Sequence, residues 1–221
     1  MTDPLHGLPA RLAELRQALA AADPVKLAER AGATFEPDPA SGAASGCFPG
    51  VLHLPVWGQP VQVAFPQFEA CREADHQPLG LLEQVLLAYY FTLTDGSSPA
   101  NRWISFTELP EGRFYTRAFQ DYTGEVLAKT FGSDLAAFKR AALGCLGTSH
   151  NDLGEASYEF LALPRLPVLV VVWLGDEDFP TRYQVLFDAH AGRHLTTDGC
   201  AILGSALVRR LKAQAQRSKD L

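Results

Sequence analysis

Seven consecutive apolar residues, Val168, Leu169, Val170, Val171, Val172, Trp173 and Leu174, constrain this chain more than any other feature. β-Branched and aromatic side chains favour extended backbone, and the run is too short to cross a bilayer. Pro167 and Gly175 bound it, as they bound a buried strand. Side chains alternate across a strand, so Val168, Val170 and Val172 share one face, and Leu169, Val171 and Trp173 the other. Both faces are apolar, so both require cover, and the run is expected to be the central strand of a sheet. After it, Gly175-Asp-Glu-Asp-Phe-Pro180 reverses the chain and Tyr183–Phe187 supplies a second set of strand formers. The stretch from Leu163 to Asp188 therefore reads as an antiparallel hairpin.

The remaining elements are arranged around it. Leu8, Leu12, Leu15 and Leu19 recur at helical spacing, and Asp23-Pro24 followed by Gly32 marks the start and stop of a second helix. Residues 36–50, rich in Pro, Gly, Ser and Ala, read as a loop inside the domain. Val51–Val56 and Val61–Phe65 form a hairpin around residues 57–60, with Pro55 suggesting an edge strand. Pro78–Leu93 is a helix covered nearly all round. Residues 101–114 read as a strand pair about Pro110-Glu111-Gly112, Arg117–Phe131 and Asp134–Leu143 as two helices, and Tyr158–Leu163 as a strand. Thr196-Thr197-Asp198 caps a last helix with Leu203, Leu207 and Leu211 on one face. Strand pairs interleaved with helices, without regular βαβ alternation, predict an α+β fold: one domain, a largely antiparallel sheet packed against helices. Its organisation is expected to be an N-terminal helical segment (1–35), the loop (36–50) and an α+β body (51–221) on which the first segment packs.

The 221 residues suffice for a core without disulfide or metal staples. A formal charge of −6 argues against a general nucleic-acid or anionic-membrane binder. Cys47, Cys71, Cys145 and Cys200 are widely spaced and form no C-x-x-C pair, so buried thiols are expected and neither a cofactor nor stoichiometric iron or zinc. No signal-like pattern or membrane-length apolar run is present, which makes a soluble cytoplasmic protein the expectation.

Four groupings carry possible chemistry. Asp176, Glu177 and Asp178 offer oxygen ligands for a hard cation, but adjacent carboxylates diverge and repel, so a solvated hairpin tip is favoured. Centring the hairpin near Asp178 places Asp188 opposite about Leu169, on the order of 16 Å from that tip. Asp188, His190, His194 and Asp198 are metal-compatible donors near one sheet end, although Gly192 argues against the two histidines sharing a helix face. The two carboxylates also have structural uses, Asp198 at a helix start and Asp188 holding loop amides. Ser149-His150-Asn151-Asp152 contains triad residue types, yet consecutive residues in a polar loop seldom converge as a triad must. No G-x-S-x-G, H-E-x-x-H, P-loop or G-x-G-x-x-G motif occurs. Arg102, Trp103, Arg113, Tyr115 and Arg117 can present guanidinium forks and aromatic faces to a carboxylate, a phosphate or a planar cofactor.

The succession of Arg102–Tyr115 (RWISFTELPEGRFY), FGSDLAAF, and WLGDEDFP with VLFD from Trp173 to Asp188 resembles an uncharacterised prokaryotic family, domain of unknown function 3786, from about Leu81 to Leu207. Asp188 and Asp198 match its pattern. The resemblance implies no established activity. In some relatives the domain is fused to an N-terminal iron–sulfur module similar to one in corrinoid proteins of anaerobic one-carbon metabolism. This chain has no cysteine before Cys47, so the resemblance implies only an association with such chemistry. The expectation is a ligand- or partner-binding domain, accessory to iron–sulfur or corrinoid enzymes, recognising a small molecule or partner protein through Arg102–Arg117. The alternative is a carboxylate-dependent, metal-assisted or metal-free hydrolase.

Overall fold

A computed structural model of the chain describes residues 7–39, 49–150 and 152–217; Cys47 and Asn151 lie outside them. The fold is α+β, and its strands fall in two sheets. The chain clusters into two units. The first comprises Met1–Ser98 with Leu163–Arg165 and Arg193–Leu195, and the second Pro99–Ala162, Leu166–Gly192 and Thr196–Leu221. Among the described residues no helix is long and apolar enough to cross a membrane.

In the first unit, α1 (Leu8–Ala20) buries Leu12, Leu15 and Leu19, and it packs on α3 (Leu81–Leu93). Between them in sequence, α2 (Pro24–Ala31) begins at Asp23, whose carboxylate accepts the N–H groups of Val25 and Lys26 at 2.9 and 3.3 Å. It ends at Gly32 with φ +66°, a left-handed turn that a side chain would strain. Strands β1 (Thr34–Pro37), β2 (Gly50–Val56), β3 (Gln59–Phe65) and β4 (Glu69–Arg72) form an antiparallel sheet in that order.

Two expectations change here. Glu36 and Pro37 pair with Val51 and Gly50 instead of lying in a loop. Phe35, the residue before them on β1, sets its ring edge-on to Phe65, 6.1 Å away, and this packing overrides a loop-like composition. Strand β2 is interior, not an edge. Pro55 is tolerated because β1 ends opposite His53, and Pro55 faces Pro60 in a pair that needs no N–H from either. In α3, Val85–Ala88, Tyr90 and Phe91 are buried as expected. The Tyr90 hydroxyl donates to Ala31 O (2.8 Å), while Arg165 donates through its guanidinium to Arg30 O and Glu29 O, closing the end of α2.

In the second unit, β5 (Trp103–Ser105), β6 (Thr148–Ser149), β7 (Ala156–Leu163), β8 (Leu166–Trp173) and β9 (Arg182–Asp188) take the order β5-β9-β8-β7-β6, with β8 in the middle. Every residue of β8 is buried except Trp173, which is half-buried. Strands β8 and β9 are antiparallel, with Val168 opposite Phe187 and Trp173 opposite Arg182. Leu169 faces Leu186, and Asp188 pairs with Trp103 of β5. The expected register was two residues off because the hairpin is centred between Glu177 and Asp178, not between Asp178 and Phe179.

One sheet face meets α4 (Thr116–Tyr122), α5 (Gly124–Phe131), α6 (Leu135–Gly144) and α7 (Thr197–Arg217). Tyr183 packs between Phe131 and Phe138, and Phe187 against Phe119 and Phe106. On the other face Leu169, Val171 and Leu186 form a small cluster bordered by Trp103, Leu153 and Trp173. The helix expected over 117–131 is broken at Thr123 (φ −118°, ψ −86°). There Gly124 lies so close to β9 that a Cβ would sit 2.3 Å from Tyr183 O. Asp134 caps α6 through Ala137 N–H (2.8 Å), and Thr196 Oγ1 accepts from Gly199 N–H (3.1 Å) at the start of α7.

Candidate functional site

The segment from Arg102 to Arg117 is not a strand pair. After three residues of β5 the chain turns, because Glu108 reaches back to accept Ser105 N–H (2.7 Å) and Ser105 Oγ–H (2.9 Å). This is a capping arrangement that closes one 3₁₀ turn over Phe106–Glu108. These bonds hold the Glu108 carboxyl below its ordinary range. A second 3₁₀ turn, Gly112–Phe114, follows and leads into α4. Gly112 is buried, and a Cβ there would lie 2.0 Å from Phe106 O. The backbone is thus clamped while the next residues face outward: Phe114 is 85% exposed and Tyr115 58%. Arg113 and Arg117, four residues apart, are also exposed, and among the described residues neither has an ion-pair partner.

The structure therefore divides the expected arginine–aromatic grouping. Arg113, Tyr115 and Arg117 stay together on the turn, joined by Phe114, which the sequence reading passed over. Trp103 goes elsewhere. It lies on the sheet face of Leu186 and donates its indole N–H to His150 Nε2 at 3.3 Å, the two rings meeting edge to face. Arg102 precedes it, and its carbonyl accepts Ala189 N–H, tying β5 to the end of β9.

The acidic candidates are dispersed. Asp176, Glu177 and Asp178 are exposed at the tip; Asp176 Oδ1 accepts the N–H groups of Asp178 and Phe179 (both 2.9 Å), which holds its carboxyl below the usual range. Asp198 is exposed in the first turn of α7, where a negative charge suits the helix start. Asp188 differs: it is 1% exposed, and its Oδ1 accepts Ala100 N–H (2.9 Å) and His190 N–H (2.8 Å). Its Oδ2 is equally buried and, among the described residues, has no hydrogen-bond partner. His194 is fully buried within the first unit and hydrogen-bonds Thr94 Oγ1 through Nδ1 at 2.9 Å. Among the described residues no three His, Cys, Asp or Glu side chains group to hold a metal. Cys71, Cys145 and Cys200 are free thiols, and burial pushes that of Cys200 up to about 12.

His150 marks what sequence reasoning set aside. It fails as part of a triad, but it borders a polar hollow of about 100 Å³ with Lys139, Ser149, Glu155 and Tyr158 among its walls. A single tryptophan N–H aimed at a histidine is a long-range pairing that no spacing rule reveals.

The family model described as "Domain of unknown function (DUF3786)" matches residues 23–210. The chain belongs to this family. The DUF3786 match reaches further toward the N-terminus than the motif likeness from Leu81, taking in α2 and the first sheet as well. No curated protein and no solved structure matches the chain.

Proposed function

We propose that this DUF3786 domain binds a ligand or partner and does no chemistry of its own, with Arg113, Phe114, Tyr115 and Arg117 as its contact. The observation that carries this reading is the rigid turn that leaves Phe114 85% exposed beside two arginines. A monomer gains nothing in stability from an extended aromatic ring in water, whereas a bound surface recovers its burial. Guanidinium groups beside a ring recognise an anionic group attached to a flat or apolar body, a carboxylate or phosphate on a cofactor or an acidic aromatic peptide. The family resemblance adds a setting: service to iron–sulfur or corrinoid enzymes of one-carbon metabolism, in a cytoplasmic context.

The test is an NMR titration of the full chain with two probes, adenosine diphosphate and an acidic peptide carrying one tyrosine. Saturable amide shifts over residues 112–118 are expected with at least one probe, fading at high salt and weakened about tenfold by each of Arg113→Glu and Arg117→Glu. Absence of saturable shifts in that segment with both probes would sink the reading. A hydrolase reading draws on the unpartnered, buried Oδ2 of Asp188. It would gain the lead if the chain turned over ester or phosphoester substrates and Asp188→Asn abolished that turnover.

A further inference from the structure

Two exposed stretches of the second unit, the turn at residues 113–117 and the hairpin tip at residues 176–179, are opposite in charge and alike in carrying an outward aromatic ring. The turn presents Arg113 and Arg117 beside Phe114 and Tyr115. At the tip, Asp176 N–H donates to Phe179 O (2.9 Å) and Gly175 N–H to Thr181 Oγ1 (3.0 Å), while the Asp176 carboxylate is engaged by the amides of Asp178 and Phe179. The loop is thus closed on itself. Its other two carboxylates, Glu177 and Asp178, are exposed, and among the described residues neither forms an ion pair. The Phe179 ring beside them is 71% exposed. An aromatic ring and two carboxylates held out in water by a rigid loop add nothing to the fold, but they suit a surface that offers cations and rings in return.

The tip cannot reach the turn of its own chain. Gly112 of the turn is clamped on Phe106, which follows the pair Ser105–Leu186, and Leu186 lies four residues along β9 from Arg182, where the strand leaves the tip. Four strand residues span about 13 Å, and that part of β9 is paired residue by residue with β8. A second copy supplies the same tip without this constraint. Each guanidinium offers a planar fork of N–H donors to a carboxylate, and two arginines against two carboxylates balance in charge. We propose that the occupant of the arginine–aromatic turn is the hairpin tip of a second copy, with Glu177 and Asp178 meeting Arg113 and Arg117, and Phe179 meeting Phe114 and Tyr115. This rests on the reading of the turn as a contact surface and names its partner. The two patches differ, so a copy altered in one of them still offers the other, and complementary variants can restore the contact.

The test is sedimentation velocity of the full chain over a range of concentrations at physiological ionic strength. There the Debye length of about 8 Å screens the formal charge of −6 on each copy more than it screens ion pairs in contact. Two charge-reversed proteins are compared, a turn variant carrying Arg113→Glu with Arg117→Glu and a tip variant carrying Glu177→Lys with Asp178→Lys. All four side chains are exposed, so the fold is unaffected. The wild-type chain is expected to self-associate, and each variant alone to do so at least about tenfold more weakly. An equimolar mixture of the two is expected to associate again, because the intact tip of one fits the intact turn of the other. Three results would overturn the proposal: a wild-type chain that stays monomeric, self-association that either variant retains, or a mixture that stays monomeric when the wild type does not. The tip variant keeps its turn vacant, so the two-probe titration repeated on it tests the underlying reading separately. Saturable shifts there together with a monomeric wild type remove the second copy and leave the contact surface standing.

Discussion

Asp188 is the most informative single position to perturb, because its two carboxylate oxygens have opposite energetics. Oδ1 accepts two backbone N–H groups, from Ala100 and His190, and so ties the approach to β5 and the turn after β9 to one point. Hydrogen bonds to a charged acceptor contribute about 1.5–3 kcal/mol each. Oδ2 works against the fold, since a buried carboxylate oxygen without a donor forfeits its hydration. Asp188→Ala loses both bonds, strands two N–H groups and leaves a small void, offset in part by removing the unpartnered oxygen. The expected destabilisation is about 2–4 kcal/mol. Asp188→Asn keeps an acceptor for both N–H groups and removes the buried charge. Weaker bonds and relieved desolvation then nearly cancel, and the change should stay within about 1 kcal/mol. Urea melts of the three proteins at neutral pH, compared at constant m-value, measure both quantities. Equal losses for Asn and Ala would show that the charge itself is essential to the fold, and a near-neutral Ala would show that Oδ1 holds nothing together. If Asn is neutral as expected, the buried charge contributes little to stability and the acceptor at Oδ1 is what the fold requires.

Trp173 lies at the rim of the Leu169–Val171–Leu186 cluster with the Arg182 guanidinium 5.9 Å from its ring centre, and it is half-buried. Trp173→Ala should therefore cost about 2–3 kcal/mol in denaturant melts, below the 3–5 kcal/mol of a fully enclosed ring, and a near-zero cost would show that this face needs no rim. Burial raises the Tyr183 hydroxyl to about 12, and the group donates to Gly132 O at 3.0 Å. The folded state thus holds this proton more tightly than the unfolded chain, whose tyrosine titrates near 10. The resulting stability is complete below pH ~10 and falls away as pH rises toward 12. Tyr183→Phe should flatten that decline, and an unchanged alkaline slope would contradict the assignment. Gly112→Ala forces a Cβ toward Phe106 O; it should cost about 1–3 kcal/mol and shift the amide signals of residues 113–117, and a neutral variant with an unchanged spectrum would show that the turn is not clamped.

Local chemistry made part of this protein legible from its residues alone. Asp23, Pro24 and Gly32 bracket α2 because a capping carboxylate, a proline without an N–H and a glycine free to turn left-handed act within a few residues of one another. The unbroken apolar run of β8 required cover on both faces, and the middle of a five-stranded sheet is where such cover exists. What tertiary structure decided were the long-range pairings. Phe35 reaching Phe65 made a strand out of loop-like sequence, and one expected helix is broken into two where Gly124 approaches Tyr183 O too closely for any Cβ. The site followed the same rule. Arginines and aromatics at residues 113–117 were visible as a group because they are neighbours in sequence. The bond from Trp103 to His150 spans 47 residues, and the burial of Asp188 beside Trp103 depends on strand order. No periodicity encodes either of them, because each arises only when separate strands and loops are packed onto the same face of the sheet.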